Sequence, residues 1–246
     1  MRRSHRDFCR EDRVRRAILE AVLEAKSAGV PAVLATQLRT GEQALILADR
    51  EIGDLTLGLA SVAEAWRLLA ADQSLTIDGE EGRIFLQVLS PPARLIIIGA
   101  VHIAQPLARM AESAGYSIVL VDPRRAFAGR EQFWGLTVID EWPDEALVKL
   151  RPDERTAVVT LTHDPKLDDP ALLVALRSRA FYIGCLGSRK THGARLARLR
   201  AAGATAEQID RIHGPVGLPI GARTPAEIAI SILADLTRVR RGAAEP

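Results

Sequence analysis

The chain has 246 residues, 48% of them hydrophobic and 26% charged, enough to bury one large core or two modest ones. Its 33 basic and 31 acidic side chains leave a net charge of +2, which excludes a nucleic-acid binder that works through overall charge. Two cysteines, Cys9 and Cys185, with no CxxC or Cys/His spacing, predict reduced thiols over a disulfide and no structural metal.

Arginines at 2, 3, 6, 10, 13, 15 and 16 are interleaved with Asp7, Glu11 and Asp12 and no apolar stretch follows, so the start reads as a basic tail and not a secretory signal. A cytoplasmic setting is expected. Helical spacing of Val14, Ile18, Val22 and Ala25 predicts a helix over 12–27, closed by Gly29-Val30-Pro31. Strands are expected at 32–38 and 44–48, then a turn at 49–54 and a helix over 61–71. Residues 75–77 and 83–89 read as a hairpin around Asp78-Gly79. This is the pattern of a small N-terminal α+β domain, 1–90, which ends at Ser90-Pro91-Pro92, since paired prolines do not fit a central strand.

From residue 91 to 246 the pattern becomes strand, helix, strand, helix. Leu95-Ile96-Ile97-Ile98 is a continuous apolar run, as a parallel strand covered on both faces requires. A helix over 101–114 follows, then strands at 117–121, 137–139 and 156–161, a helix over 170–178, a strand at 180–183 and a helix over 188–201. No run reaches the length of a bilayer span; the one over 95–104 is broken by His102. Thr224-Pro225-Ala226-Glu227 supplies N-cap, N1 and N3 for a last helix through Ile228, Ile232 and Leu236 to about Arg240. Such alternation implies a Rossmann-like, doubly wound parallel sheet.

The first strand of this region runs into Gly99-Ala100-Val101-His102-Ile103-Ala104, with small residues at the first and third positions of a dinucleotide-binding turn. Asp122 falls 23 residues beyond Gly99, where such folds place the acid for a ribose diol. Val101 in the middle position obstructs close approach of a pyrophosphate, which counts against ordinary NAD(P) binding; Arg124 and Arg125 offer charge for an anion instead. Thr162-His163-Asp164-Pro165-Lys166 and Gly187-Ser188-Arg189-Lys190 each follow a strand, at the ligand-facing edge of a parallel sheet. The second of these opens a helix, so free N–H groups, the helix dipole and Arg189 or Lys190 suit a phosphate, with Ser188 as N-cap in the plainer reading. Asp168 and Asp169 read as caps of the helix behind them, and Cys185 as a small buried residue. The loop from His213 to Arg223 carries Gly214, Gly217 and Gly221, which fits close approach either to a ligand or to another chain segment. His102, His163 and His213, from three loops, are candidates to converge as proton carriers.

Taken in order, the segments 99–105 (with Gln105), 161–170, 181–189 and 212–222 resemble the signature set of the XdhC/CoxI family, over roughly 92–240. The resemblance implies a chaperone, not a metabolic enzyme, that transiently binds molybdenum cofactor. It would assist sulfuration and insertion into the large subunit of a xanthine dehydrogenase-type or CO dehydrogenase-type hydroxylase. A homodimer and a cysteine desulfurase partner are further implications. The cofactor-binding set carried onto this chain is Gly99, His102, Gln105, Asp122, Thr162, His163, Asp164, Lys166, Gly187, Ser188, Arg189, Lys190, His213 and Gly217. Relatives carry a Gly-Gly-Cys-Val-Glu-like motif in the N-terminal domain; the stretch 58–64 here has no cysteine. Two rivals share the fold: an NAD(P)-dependent oxidoreductase with His163 or His213 as acid/base, told apart by dehydrogenase turnover, and a noncatalytic docking scaffold, told apart by indifference to loss of the loop histidines.

Overall fold

The computed structural model describes residues 5–79, 82–124, 133 and 135–244, with side chains from residue 16 onward. Cys9, Arg125 and the arginines before residue 16 therefore lie outside the described side chains. The chain divides into two compact units, Met1–Pro91 and Pro92–Pro246.

In the first unit, α1 (His5–Ala28) precedes β1 (Ala32–Gln37), β2 (Gln43–Ile46) and β3 (Glu51–Gly53); α2 (Leu59–Ala71) then leads to the hairpin of β4 (Leu75–Gly79) and β5 (Gly82–Leu89). The strands form one antiparallel sheet in the order β3-β2-β1-β5-β4. Alternation along β1 sorts its side chains: Val33 and Ala35 pack with Ala65 and Leu68 of α2, and Ala32 and Leu34 with Ile18, Ala21 and Ala25 of α1.

The second unit holds β6 (Ala93–Ile98), α3 (Ala104–Ser113), β7 (Tyr116–Val121), β8 (Thr137–Ile139), α4 (Pro143–Leu150), β9 (Thr156–Thr160) and α5 (Pro165–Arg177). After these come β10 (Tyr182–Cys185), α6 (Arg189–Ala201), α7 (Ala206–Ile209), β11 (Ile212–His213) and α8 (Pro225–Arg240). All six strands are parallel, in the order β11-β10-β9-β6-β7-β8, so the chain reverses direction between β6 and β9. Such a reversal opens a crevice at the carboxyl ends of the two central strands. Leu95 and Ile97 pack with α3 and α8 on one face, and Ile96 and Ile98 with α4, α5 and α6 on the other. That is why the run had to be apolar throughout. Among the described residues no helix is long and apolar enough to cross a membrane.

Two helices of the second unit begin elsewhere than their patterns suggest. The helix expected from 170 starts at Pro165, because Asp164 is the cap and accepts from the Lys166 N–H at 2.9 Å. Pro170 lies inside that helix, so Asp168 and Asp169 are not caps. The helix expected from 101 starts at Ala104, residues 101–103 being a turn.

Candidate functional site

Hydrogen bonds carry the parallel ladder one residue past the strands. Gly99 N–H donates to Val121 O at 2.8 Å, Leu161 to Ile98 O at 2.9 Å, Asp122 to Ile139 O at 3.1 Å and Leu186 to Thr160 O at 2.9 Å. The loops from 99, 122, 162, 186 and 214 thus leave the sheet along one rim. At its centre Gly99 has φ +105°, and a Cβ there would lie 2.5 Å from Thr162 Cγ2. Only glycine lets the loops after β6 and β9 meet so closely. Immediately beyond, α3 begins with no side-chain cap at Ile103, leaving its first N–H groups to backbone or guest. His102, exposed, and Gln105, half-buried, flank that start.

Thr162 is fixed by a local network. Its hydroxyl donates to Asp168 Oδ1 at 2.7 Å and accepts from Asp164 N–H at 3.1 Å. His163 follows at φ +62°, a left-handed conformation that costs a side-chain-bearing residue, with its ring exposed. Lys166 is exposed on the first turn of α5.

Asp168 is fully buried and pairs with Arg195, itself only 2% exposed, at 3.2 Å. Arg195 Nη2 also donates to Leu186 O at 3.0 Å, while Nε and Nη1 are buried with no hydrogen-bond partner among the described residues. Gly187, at φ +152°, passes over that guanidinium: a Cβ on it would lie 3.5 Å from Nη1. Burial pushes the Asp168 carboxyl up, against Thr162 and Arg195, which act to lower it. Ser188 is the N-cap of α6 and accepts from Thr191 N–H at 3.1 Å, with Arg189 and Lys190 exposed beside it.

Asp122 is buried with both oxygens engaged: Oδ2 accepts from Ala100 N–H at 2.7 Å and Arg124 Nη2 at 2.8 Å, and Oδ1 from Arg124 N–H and Nε, each at 2.9 Å. Its direct role is to hold Arg124 at the rim. These bonds keep its carboxyl below the usual range despite burial, which acts the other way.

Cys185 is buried, with Sγ 3.5 Å from His192 Nδ1, and burial pushes its thiol up to about 11. In a Cys9→Ser background the native protein is expected to be silent toward a disulfide reagent at neutral pH and to yield one thiol on unfolding. Rapid native labelling would show that the sulfur is reachable.

The three loop histidines do not all converge. His213 turns to the face covered by α8, where its ring stacks on Tyr182 (centroids 4.3 Å apart, planes at 20°) with Nδ1 3.4 Å from Asp235 Oδ2. Gly217, at φ +92°, seats its loop on α8, since a Cβ there would lie 2.3 Å from Ser231 Oγ. Packing explains that glycine. Among the described residues no group of three or more His, Cys, Asp or Glu is placed to hold a metal ion.

Sequence reasoning missed Arg195, the Asp168 pair, Tyr182 and Asp235. The signal for Arg195 is faint: it stands four residues before Leu199, on the inward side of a helix otherwise rich in exposed arginine.

The family model for the XdhC Rossmann domain matches residues 95–236, more than half of the chain. The chain is 33% identical over 150 residues to the molybdenum cofactor insertion chaperone PaoD of Escherichia coli K12, covering 61% of this chain and 41% of that protein. It is 31% identical over 159 residues to a probable xanthine dehydrogenase subunit from Bacillus subtilis 168 (64% and 46%), and 34% identical over 165 residues to the uncharacterized protein YqeB of E. coli K12 (65% and 30%). The matched segment therefore spans less than half the length of each relative. A solved xanthine dehydrogenase structure from Bacillus halodurans superposes with a TM-score of 0.74 at 29% identity, over 92% of this chain and 67% of that one.

Proposed function

Because the chain belongs to the XdhC family, we propose that it is a maturation chaperone that binds molybdenum cofactor at the rim of its parallel sheet and passes it to a molybdenum hydroxylase. The observation that supports this reading is the rim itself: the uncapped start of α3, the bare Gly99 against Thr162, and the cationic first turn of α6 follow the carboxyl ends of three neighbouring parallel strands, β6, β9 and β10. The similarity to PaoD, a protein named for inserting this cofactor, points the same way.

The residues present suit such a cargo. Arg189 and Lys190, with the helix dipole behind Gly187 and Ser188, match a phosphate. Thr162, His163, Asp164, Gln105 and His102 supply donors and acceptors for a pterin edge, and Lys166 adds charge. Asp122 acts through Arg124. An NAD(P)-dependent enzyme is disfavoured, since the acid that would take the ribose diol already has both oxygens engaged. Homodimerisation, sulfuration with a cysteine desulfurase, a hydroxylase large subunit of xanthine dehydrogenase or CO dehydrogenase type, and a cytoplasmic setting rest on the family resemblance alone.

The test is to purify the protein from cells that make the cofactor, oxidise it and quantify the fluorescent pterin per chain. Wild type is expected to carry pterin. Arg189→Ala/Lys190→Ala should retain roughly a tenth of it, the loss of one or two charge-assisted bonds, with an unchanged melting curve. Pterin-free wild type, or a double variant that binds as well as wild type, refutes the assignment.

A further inference from the structure

The first N–H groups of α6 have no acceptor within the helix. Ser188 takes that of Thr191, which leaves those of Arg189 and Lys190 open. Gly187 stands just before this start, and its N–H makes no hydrogen bond among the described residues. Whether it adds to the other two is decided by the way the Leu186–Gly187 peptide faces.

Leu186 is held on both sides. Its N–H donates to Thr160 O at 2.9 Å, which continues the sheet, and its carbonyl accepts from Arg195 Nη2 at 3.0 Å. The peptide that follows is trans, so its C=O and N–H point in opposite directions. A carbonyl drawn to a buried guanidinium therefore turns the Gly187 N–H away from it. Without that hold the peptide would turn over at small cost, because glycine, here at φ +152°, has ready access to both signs of φ.

The geometry of Arg195 matches this task better than it matches an ion pair alone. A guanidinium that served only Asp168 would meet the carboxylate with a two-nitrogen fork. Here one nitrogen, Nη2, is shared between Asp168 Oδ2 at 3.2 Å and the Leu186 carbonyl. Nε and Nη1 stay unspent among the described residues although the side chain is only 2% exposed, and Nη1 is the nitrogen beside Gly187. Unspent buried donors cost stability, so the arginine is placed for the carbonyl at the expense of the better salt bridge. Asp168 is in turn anchored by the Thr162 hydroxyl at 2.7 Å, so the hold on Leu186 reaches back to the loop after β9.

We propose that Arg195 is a positioning residue for the anion turn of α6: by grasping the Leu186 carbonyl, it fixes the peptide that presents the Gly187 N–H to a bound phosphate. The inference rests on the assignment of this turn to the phosphate of the cargo, and it is tested without that cargo.

Inorganic phosphate is the probe, titrated into the full chain and followed in ¹H–¹⁵N spectra. Wild type is expected to bind it saturably, with the Gly187 amide proton moving downfield as it donates to a phosphate oxygen. Arg195→Met/Asp168→Asn removes no net charge and strands none, so long-range attraction for the anion is kept. It should bind phosphate about tenfold more weakly, the loss of one charge-assisted bond, and the Gly187 shift should vanish. A purely structural arginine would leave both readouts where they are in wild type. Saturable binding that Arg189→Ala/Lys190→Ala weakens but the neutral pair does not would overturn the role of Arg195 and leave the phosphate assignment standing. No phosphate binding by wild type removes both. The Gly187 amide of wild type needs no variant: if phosphate binds and that signal stays still, the proposal is wrong even where the double variant fails to fold.

Discussion

Arg195→Met is expected to destabilise the second unit by about 3–5 kcal/mol, a drop of roughly 10 °C in melting temperature. The cause is the charge left behind. Asp168 has no exposed surface and Arg195 is its ion-pair partner, so methionine fills the space but strands a carboxylate among apolar side chains. Restoring neutrality should recover most of the loss. In Arg195→Met/Asp168→Asn the amide oxygen can still accept from Thr162, while no buried charge remains. Acid should narrow the gap between the single variant and wild type. Burial raises the folded carboxyl above its unfolded value, so the protonated form is the one that folding favours. The stability tied to that form is present below the unfolded pKa and is lost as pH rises through the folded value. Without the arginine this dependence steepens, so urea unfolding should show the largest deficit at neutral and alkaline pH. A single variant as stable as wild type across that range would mean that the pair is dispensable.

This network also marks where the sequence stops being informative. The layered sheet is legible because its signals are local: four consecutive apolar residues at 95–98, a strand-to-glycine turn at Gly99, and a capping box at Thr224 and Glu227 that the structure reproduces. That the strands run parallel follows from the alternation of strand and helix. Pairing between distant elements is a different matter. Asp168 of α5 meets Arg195 of α6 across 27 residues, and Tyr182 of β10 meets Asp235 of α8 across 53, and no periodicity within one element announces a partner on another. Asp-Asp-Pro at 168–170 reads like the start of a helix, but the helix has already begun at the earlier proline, behind Asp164. Short elements are equally silent: β11 has two residues and α7 four, too few for a pattern to repeat. His213 shows the effect on the candidate site. Its loop leaves the sheet with the others, but the alternation of side chains along a strand turns its ring toward α8 and Tyr182.

Gly99→Ala is expected to be the most damaging single methyl group at the rim, at about 3 kcal/mol, and the effect has two separable parts. The first is backbone: φ +105° is a region that a residue with a Cβ occupies only at a cost of about 1–3 kcal/mol. The second is contact, 2.5 Å from the new Cβ to Thr162 Cγ2. A free threonine would rotate away, but this one is held by its hydroxyl, which bonds Asp168 and Asp164, so rotation would unpick the same network that Arg195 completes. Thr162→Ser keeps the hydroxyl and removes the offending methyl. In Gly99→Ala/Thr162→Ser the contact part, about 1–2 kcal/mol by the usual cost of overpacking, should return while the backbone part persists. Chemical denaturation of the four proteins measures that coupling directly. Pterin content should separate from stability in the same set: the double variant regains folding but not full binding, because the backbone at residue 99 still departs from the path that leads into uncapped α3. Additive losses in the cycle would show that the loops after β6 and β9 do not press on one another, and the crevice assigned to the cofactor would lose its floor.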